Sequence, residues 1–460
     1  MPTTPATVFE SVNPATDERL EVRPAMDRAQ VDTVVDAVHA AQRAWAERPL
    51  AERVAPMRRA AELLRARAAE LARLAALEMG KPLADGVAEA QKCATACEHY
   101  AEHAAAYLAP RVIATDASRS EVRFEPLGVV LAIMPWNFPY WQVFRFVAPH
   151  LMAGNAGLLK HAPNVSGCAL AIEALLADAG FPRDLLRVLL VDTDEVARLV
   201  ADERVAAVTL TGSERAGRAV AAAAGAALKP AVLELGGSDA FVVLADADVA
   251  QAAKVAAQAR TINNGQSCIC AKRFIVERAV RGPFEEAFAA ELRKLRVGDP
   301  LASGTQLGPL ARRDLRENLH RQVTASIAQG AHLVLGGEVP PGPGCFYPPT
   351  LLTDVRPGMA AADEETFGPL AAVLVAESAE DAVALANRTR FGLGASLWTQ
   401  DPATAERLVP RLAAGSVFVN GLVKSDPRLP FGGIKASGFG RELSEEGIRA
   451  FTNVKTVWRA

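Results

Sequence analysis

Cysteine is scarce in this chain, at six residues in 460. So few thiols over such a length exclude a disulfide framework and point to a reducing compartment, the cytoplasm. An excess of one charge is also missing: 50 Lys and Arg stand against 53 Asp and Glu, for a formal net charge of −3. That balance leaves no electrostatic footprint for nucleic acid or an anionic membrane. Long hydrophobic runs are absent, and stretches such as Leu127 to Trp136 are too short and too Pro-interrupted to span a bilayer. The opening Met1-Pro2-Thr3-Thr4-Pro5 has neither a basic start nor an apolar core, so no secretory leader is expected. Repeats and low-complexity segments are also missing. What is present is an ordinary soluble composition, half hydrophobic and 22% charged, over a length that calls for two or more domains.

The first hundred residues are rich in Ala, Arg and Glu with helical periodicity, as in Val31 to Ala46, Arg53 to Glu78 and Val87 to Leu108. Val122 to Met134 then alternates and turns apolar, the pattern of strands. From there apolar strand candidates alternate with helices: Gly157 to Lys160 with Ser166 to Ala179, Leu186 to Val191 with Asp194 to Ala201, Val205 to Leu210 with Glu214 to Ala224. Ala231 to Leu235 closes this block, and a second series starts at Phe241. Such alternation predicts largely parallel sheets covered by helices, in two α/β domains.

The stretch Asn263-Asn264-Gly265-Gln266-Ser267-Cys268 leads into the apolar run Phe274-Ile275-Val276 and sets a thiol at a loop-to-strand junction. A thiolate there can form a covalent adduct with a carbonyl carbon. Glu234, in Leu233-Glu234-Leu235-Gly236-Gly237, puts a carboxylate at the end of an apolar strand, read as a neighbour of the one that follows Cys268. Nucleophile and general base are what thiol chemistry followed by hydrolysis requires. Asn137, in Pro135-Trp136-Asn137-Phe138-Pro139, follows another strand; its amide either donates to a developing oxyanion or caps the next helix. The turn Thr211-Gly212-Ser213 opens a helix, either as a pyrophosphate cradle or as a plain change of direction. Glu365, beside Phe367 in Glu364-Glu365-Thr366-Phe367-Gly368, is either an acceptor for a ribose or half of an exposed charge pair. Cys93, Cys97, His99 and His103 share one helical segment, but two pairs pointing differently wrap a tetrahedral ion poorly, so no metal is expected.

Taken in order, these stretches resemble the aldehyde dehydrogenase superfamily over essentially the whole chain. The matching segments are Val12 to Thr16, Met79-Gly80-Lys81-Pro82, Pro135 to Pro139, Leu159-Lys160, Thr211-Gly212-Ser213, Leu233 to Gly237, Gly265-Gln266-Ser267-Cys268, Glu364 to Pro369 and Pro430-Phe431-Gly432-Gly433. Ile133 to Pro139, Leu159 to Asn164, Leu233 to Asp239 and the C-terminal Phe439 to Ser444 resemble the short bacterial succinate-semialdehyde dehydrogenases in particular.

The resemblance implies an aldehyde dehydrogenase-like α/β fold. A Rossmann-type cofactor domain would take residues 1–110 and 125–235, and an α/β catalytic domain 236–428. A small β oligomerisation arm, 111–124 and 441–460, would make a homodimer or homotetramer. It implies Cys268 as nucleophile, Glu234 as the base that activates water, and the Asn137 amide as oxyanion donor. Cofactor contacts fall to Lys160 at the adenosine ribose, Gly212 and Ser213 near the pyrophosphate, Glu365 and Phe367 at the nicotinamide ribose, and Leu235 and Trp136 beside the nicotinamide. Pro163 stands where many NAD-preferring relatives carry a carboxylate, so a 2′-phosphate is tolerated, with Lys160, His161 or Ser166 to meet it; the cofactor is NAD or NADP.

For the substrate, the resemblance places Arg145 as the grip for a distal carboxylate, against the alternative of a surface or interface arginine. Some relatives carry a second arginine six residues before the nucleophile; here Ile262 holds that place, with Arg260 nearby and Ser425 as a substitute. Cys270 is either a partner for a redox disulfide with Cys268 or a small core thiol. The implied activity is NAD(P)-dependent oxidation of succinate semialdehyde to succinate. The alternatives are another aldehyde (glutarate semialdehyde or an aromatic one), acyl transfer to coenzyme A or phosphate, and a catalytically silent relative. An intact Cys268, Glu234, Asn137 and Lys160 speak against the last.

Overall fold

A computed structural model describes residues 8–460, so the opening pentapeptide read above lies outside the described residues. Two sheets organise the chain. The first has six strands in the order Gly438–Phe439, Ala231–Glu234, Val205–Thr211, Val129–Met134, Ala156–His161 and Leu186–Val188. All its neighbours are parallel except Gly438–Phe439, which runs antiparallel against Ala231–Glu234. The chain enters at Val129–Met134, builds outward to Leu186–Val188, then crosses back to Val205–Thr211 on the other side. The reversal opens a crevice at the C-terminal strand ends, the usual binding position in open α/β sheets. Full burial on both faces accounts for the Val-, Leu- and Ala-rich strands, because helices cover a parallel sheet on each side.

The second sheet has seven strands, His332–Leu335, Thr350–Thr353, Leu370–Ala376, Ala271–Glu277, Asp239–Val243, Gly394–Trp398 and Ser416–Val419, parallel but for the first. Separate apolar clusters pack on its two faces. A third, antiparallel sheet joins Arg111–Val112, Arg119–Pro126 and Thr452–Arg459. Among the described residues no helix is long and apolar enough to cross a membrane.

Three expectations needed correction. The run Arg53 to Glu78 is two helices, Leu50–Ala66 and Ala68–Met79, broken at Arg67, where no Gly or Pro marks the change. Val122 to Met134 is two strands of different sheets, split at Gly128, whose φ of 137° lies in a region that only glycine adopts freely. Cys268 and Glu234 do not sit on neighbouring strands of one sheet. Glu234 ends a strand of the first sheet, whereas Cys268 precedes the central strand Ala271–Glu277 of the second.

Candidate active site

The loop before Cys268 runs through three consecutive left-handed residues, Asn263 (φ 53°), Asn264 (φ 59°) and Gly265 (φ 73°). Asn tolerates this region better than most residues, and Gly without strain. At Gly265 an added Cβ would meet the Gly368 backbone at 2.4 Å, so space requires the glycine too. The amides then lock the loop. Asn263 Nδ2 donates to the carbonyls of Asn137 (2.7 Å) and Gln266 (3.0 Å), and Gln266 Oε1 accepts from Ala311 N (2.9 Å). Buried Lys272 donates to the carbonyls of Ser267 (3.0 Å) and Cys268 (2.8 Å). The nucleophile candidate is held from both sides.

Cys268 sits where two cavities meet. A smaller one of about 180 Å³ is lined by Phe138, Trp141, Arg145, Ile262, Ser425 and Phe431 among others. A larger one of about 350 Å³ is lined by Trp136, Asn137, Gly212, Ser213, Leu235, Glu365 and Phe367. Cys268 and Gln142 alone border both. Burial pushes the Cys268 thiol up to about 12, moderated by the positive charges of Arg145 and Lys272. Asn137 is buried and donates through Nδ2 to the Gln266 carbonyl at 3.0 Å, which leaves its second amide hydrogen available. It does not cap the following helix Trp141–Ala153. Glu89 does that, accepting from the amides of Tyr140 (2.9 Å) and Trp141 (2.8 Å).

Glu234 is 2% exposed, and among the described residues neither of its carboxylate oxygens has a hydrogen-bond partner. Burial drives its pKa well above the carboxylate range, and the neighbouring charge of Glu442 adds to that. Arg145, equally buried, ion-pairs with Glu442, donates to Thr211 Oγ1 at 3.2 Å and stacks over Phe431. The surface-arginine alternative for Arg145 therefore fails. Two carboxyls facing one guanidinium in a dry site cannot both ionise cheaply, so this cluster is built to hold a proton.

The larger cavity has the donors and acceptors of a dinucleotide site. Ser213 Oγ accepts from Ala216 N (3.3 Å) at the start of the helix Glu214–Ala226, whose N-terminus faces the Gly212 turn. Gly236 is needed for close approach, since a Cβ there would stand 2.5 Å from Glu365 Oε2. Glu365 turns inward, accepting from Gly237 N at 2.9 Å, while Glu364 turns outward to Arg321 at 2.6 Å. The adjacent acids are thus not one exposed pair. Trp136 and Phe367 meet edge to face with centroids 5.7 Å apart, offering an aromatic wall.

Lys160 and Pro163 lie outside that lining, at and just past the end of the next strand, Ala156–His161. Lys160 is buried without an ion pair among the described residues, and desolvation lowers its pKa. Pro163 is exposed and starts a short 3₁₀ turn. The two helpers suggested for a 2′-phosphate are engaged elsewhere. His161 uses both ring nitrogens, on the Pro139 carbonyl and the Ala162 amide, and burial takes its pKa down to about 4. Ser166 is buried and accepts from Arg23 at 2.9 Å.

Other candidates settle as follows. Arg260 is fully buried and donates to the carbonyls of Gly265 (2.6 Å) and Ala271 (3.1 Å), so it braces the loop and borders neither cavity. Cys270 is buried with its thiol toward the Ile262 carbonyl. Cys93 and Cys97 are buried thiols, and His99 and His103 are hydrogen-bonded to Tyr107 and to the His99 carbonyl. Sequence reasoning missed Glu442, which lay inside a quoted segment, and Lys92, on the helix Leu83–Tyr107, which borders the smaller cavity. Nothing in the local pattern of that helix marks position 92.

Comparison with known proteins agrees with this geometry. The model of the aldehyde dehydrogenase family matches residues 2–457. A probable NADP(+) succinate-semialdehyde dehydrogenase of Synechocystis is 50% identical over 450 residues, covering 98% of this chain and 99% of that protein. The NAD(P)+ succinate semialdehyde dehydrogenase Sad of Escherichia coli is 48% identical over 459 residues, covering 100% and 99%. Among solved structures, the succinic semialdehyde dehydrogenase of Streptococcus pyogenes in complex with NADP+ superposes with a TM-score of 0.96 at 34% identity, covering 98% of this chain and 99% of that one.

Proposed function

This chain belongs to the aldehyde dehydrogenase family, and on that premise we propose that it oxidises succinate semialdehyde to succinate with NADP or NAD. The observation that carries the reading is the single thiol at the junction of two cavities, one suited to an aldehyde and one to a dinucleotide. When bound in the larger cavity, the cofactor would supply the hydride acceptor.

Cys268 Sγ attacks the carbonyl carbon, its proton leaving to water, and a C–S bond forms as the carbonyl π pair moves onto oxygen. The free amide hydrogen of Asn137 and the Cys268 N–H hold that oxyanion. Departure of hydride from the tetrahedral carbon leaves a thioester on Cys268. Glu234, once deprotonated, takes a proton from water, whose oxygen adds to the thioester; collapse expels the thiolate and releases the acid. Glu442 and Arg145 supply the field in which Glu234 can hold that proton. The smaller cavity, which Arg145 and Ser425 border, receives the substrate's distal carboxylate. In the larger cavity Gly212 and Ser213 meet the pyrophosphate, Glu365 the nicotinamide ribose, and Trp136, Leu235 and Phe367 the nicotinamide side. Lys160 would hold the adenosine ribose, and Pro163 would set no anion against a 2′-phosphate.

In this reading residues 1–110 and 125–235 bind the cofactor and 236–428 carry the nucleophile. The segments 111–124 and 441–460, paired with each other within the chain, form the arm through which subunits of a homodimer or homotetramer associate in the cytoplasm. Exposed Val112, Ile113, Val454 and Trp458 on the three-stranded sheet support self-association there. A disulfide between Cys268 and Cys270 would silence the enzyme reversibly; equal peroxide loss and dithiothreitol recovery in Cys270→Ser would refute that.

The test is absorbance of reduced cofactor with purified protein, NAD or NADP, and succinate semialdehyde, glutarate semialdehyde, butanal or benzaldehyde. Preference for succinate semialdehyde is expected. Oxidation of only the other aldehydes would overturn the substrate, and no reduction by folded protein with a titratable Cys268 would overturn the activity.

A further inference from the structure

The smaller cavity is bordered by three cations, and their charges are committed differently. Arg145 is ion-paired to Glu442. Lys424 is exposed, where water screens it. Lys92 is inside, and among the described residues it forms no ion pair.

The acids nearest Lys92 are engaged elsewhere. Glu89 is paired with buried Lys81 and caps the helix Trp141–Ala153 through two backbone amides. Asp426 holds Arg428 at 2.6 Å. What Lys92 does have is preorganisation. Its ammonium donates to Ser425 Oγ at 2.6 Å and lies 4.3 Å from the centroid of the Trp141 ring. Both partners also border the cavity. A ring face attracts a cation without neutralising it, and a hydroxyl that accepts from the ammonium keeps its own hydrogen free to donate. Desolvation and the Arg145 charge bring the Lys92 pKa down to about 8, the response of an ammonium without a counter-ion.

We infer that Lys92, acting with Ser425, is the principal receptor for an anionic substrate tail, and that it takes the carboxylate distal to the aldehyde carbon held at Cys268. This rests on the aldehyde-oxidising reading above and adds to it the residue whose charge is unspent. A carboxylate entering there gains a charge-assisted bond from Lys92 and a second from the Ser425 hydroxyl. Arg145 stays bound to Glu442 and forms the wall between tail and carboxyl cluster.

The experiment compares kcat/KM for succinate semialdehyde and for butanal in wild type, Lys92→Met and Lys92→Arg. Loss of one charge-assisted contact should lower the ratio about 30-fold in Lys92→Met, mostly through KM, and Lys92→Arg should restore most of it. A ratio within about 3-fold of wild type in Lys92→Met overturns the inference. A second readout needs no turnover: succinate should slow iodoacetamide alkylation of Cys268 in wild type and not in Lys92→Met. Equal protection in both proteins overturns the inference. Protection confined to wild type, from a protein that oxidises no aldehyde, would sustain the anion site while ending the dehydrogenase reading. Should Lys92→Met fail to fold, wild type alone decides. KM for succinate semialdehyde should climb between about pH 7 and pH 9 relative to butanal as the ammonium loses its proton. The charged or titratable groups around it are Asp85, Glu89 and Cys93 on its own helix, Arg145, and Lys424 and Asp426 across the cavity. Parallel pH dependence for both aldehydes overturns the assignment.

Discussion

Asn264 is the residue through which the fold holds Cys268, the proposed nucleophile, in register, and replacing it should damage both stability and chemistry. It is fully buried, at φ 59°, four residues before Cys268. Its Nδ2 donates to the carbonyls of Gly80 (2.8 Å) and Pro309 (3.0 Å), and its Oδ1 accepts from Gly308 N (2.7 Å). Water cannot easily replace the side chain, because a Cβ on Gly308 would already lie 2.3 Å from the Gly80 carbonyl. Asn264→Ala therefore orphans one backbone N–H, at about 2 kcal/mol, and two carbonyls, at about 1 kcal/mol each. A left-handed alanine adds about 1 kcal/mol, for a total of about 5 kcal/mol.

Asn264→Gly removes the backbone strain but adds about 0.7 kcal/mol of unfolded-chain freedom. The two variants should therefore fall within about 1 kcal/mol of each other, since hydrogen bonds and not φ decide the loss. By calorimetry the transition containing this loop should drop by roughly 10–20 °C in both. Below that transition kcat should fall about 100-fold, because a displaced Cys268 no longer meets the aldehyde carbon. A loss under about 1 kcal/mol in Asn264→Ala, or full activity in a destabilised variant, would refute the reasoning.

Glu234→Gln should give one rapid burst of reduced cofactor per subunit and then slow by about 100-fold or more, because the thioester forms but water lacks its base; steady turnover without a burst would reassign the base. Turnover of butanal should rise with pH and still be climbing at about pH 9, since burial raises both Cys268, to about 12, and Glu234, and each acts only after losing its proton; an optimum below about pH 7 would contradict this. Trp458→Glu places a charge on the exposed apolar face of the three-stranded sheet and should shift light-scattering mass toward monomer, whereas an unchanged mass would move the interface elsewhere.

Cys268, Glu234, Asn137, Gly212 and Glu365 could be named from the sequence because their segments, taken in order, resemble one family, whereas each local run alone left a plain structural alternative open. Helix Val249–Thr261 starts where Asp248 accepts from Gln251 N, a cap residue that the sequence carries in plain view. Arg145 was legible as a position but not as an interaction. Its partner Glu442 is almost three hundred residues away, and only the antiparallel return of Gly438–Phe439 beside Ala231–Glu234 brings that segment to the strand that ends in Glu234. Lys92 was silent for a related reason. On a helix of Ala, Cys, Glu and His it looks like one more solvated charge, and only packing against Trp141 and Ser425 turns it inward. The break at Arg67 carries no sequence mark because tertiary contacts, not a helix breaker, impose it. Strand neighbours were the hardest to read. Periodicity reports which residues are buried, but not which sheet buries them.

The two cavities share only Cys268 and Gln142. For a protein engineer this makes the enzyme modular. Substitutions around Lys92, Ile262 and Ser425 can retune which aldehyde enters, while changes near Gly212, Ser213 and Glu365 retune the cofactor, with little cross-talk expected between distant, independent positions. It also sets a design rule for inhibitors. A ligand that fills one cavity leaves the other open, so two weak binders joined by a linker thin enough to pass the thiol would gain from effective concentration as well as contact.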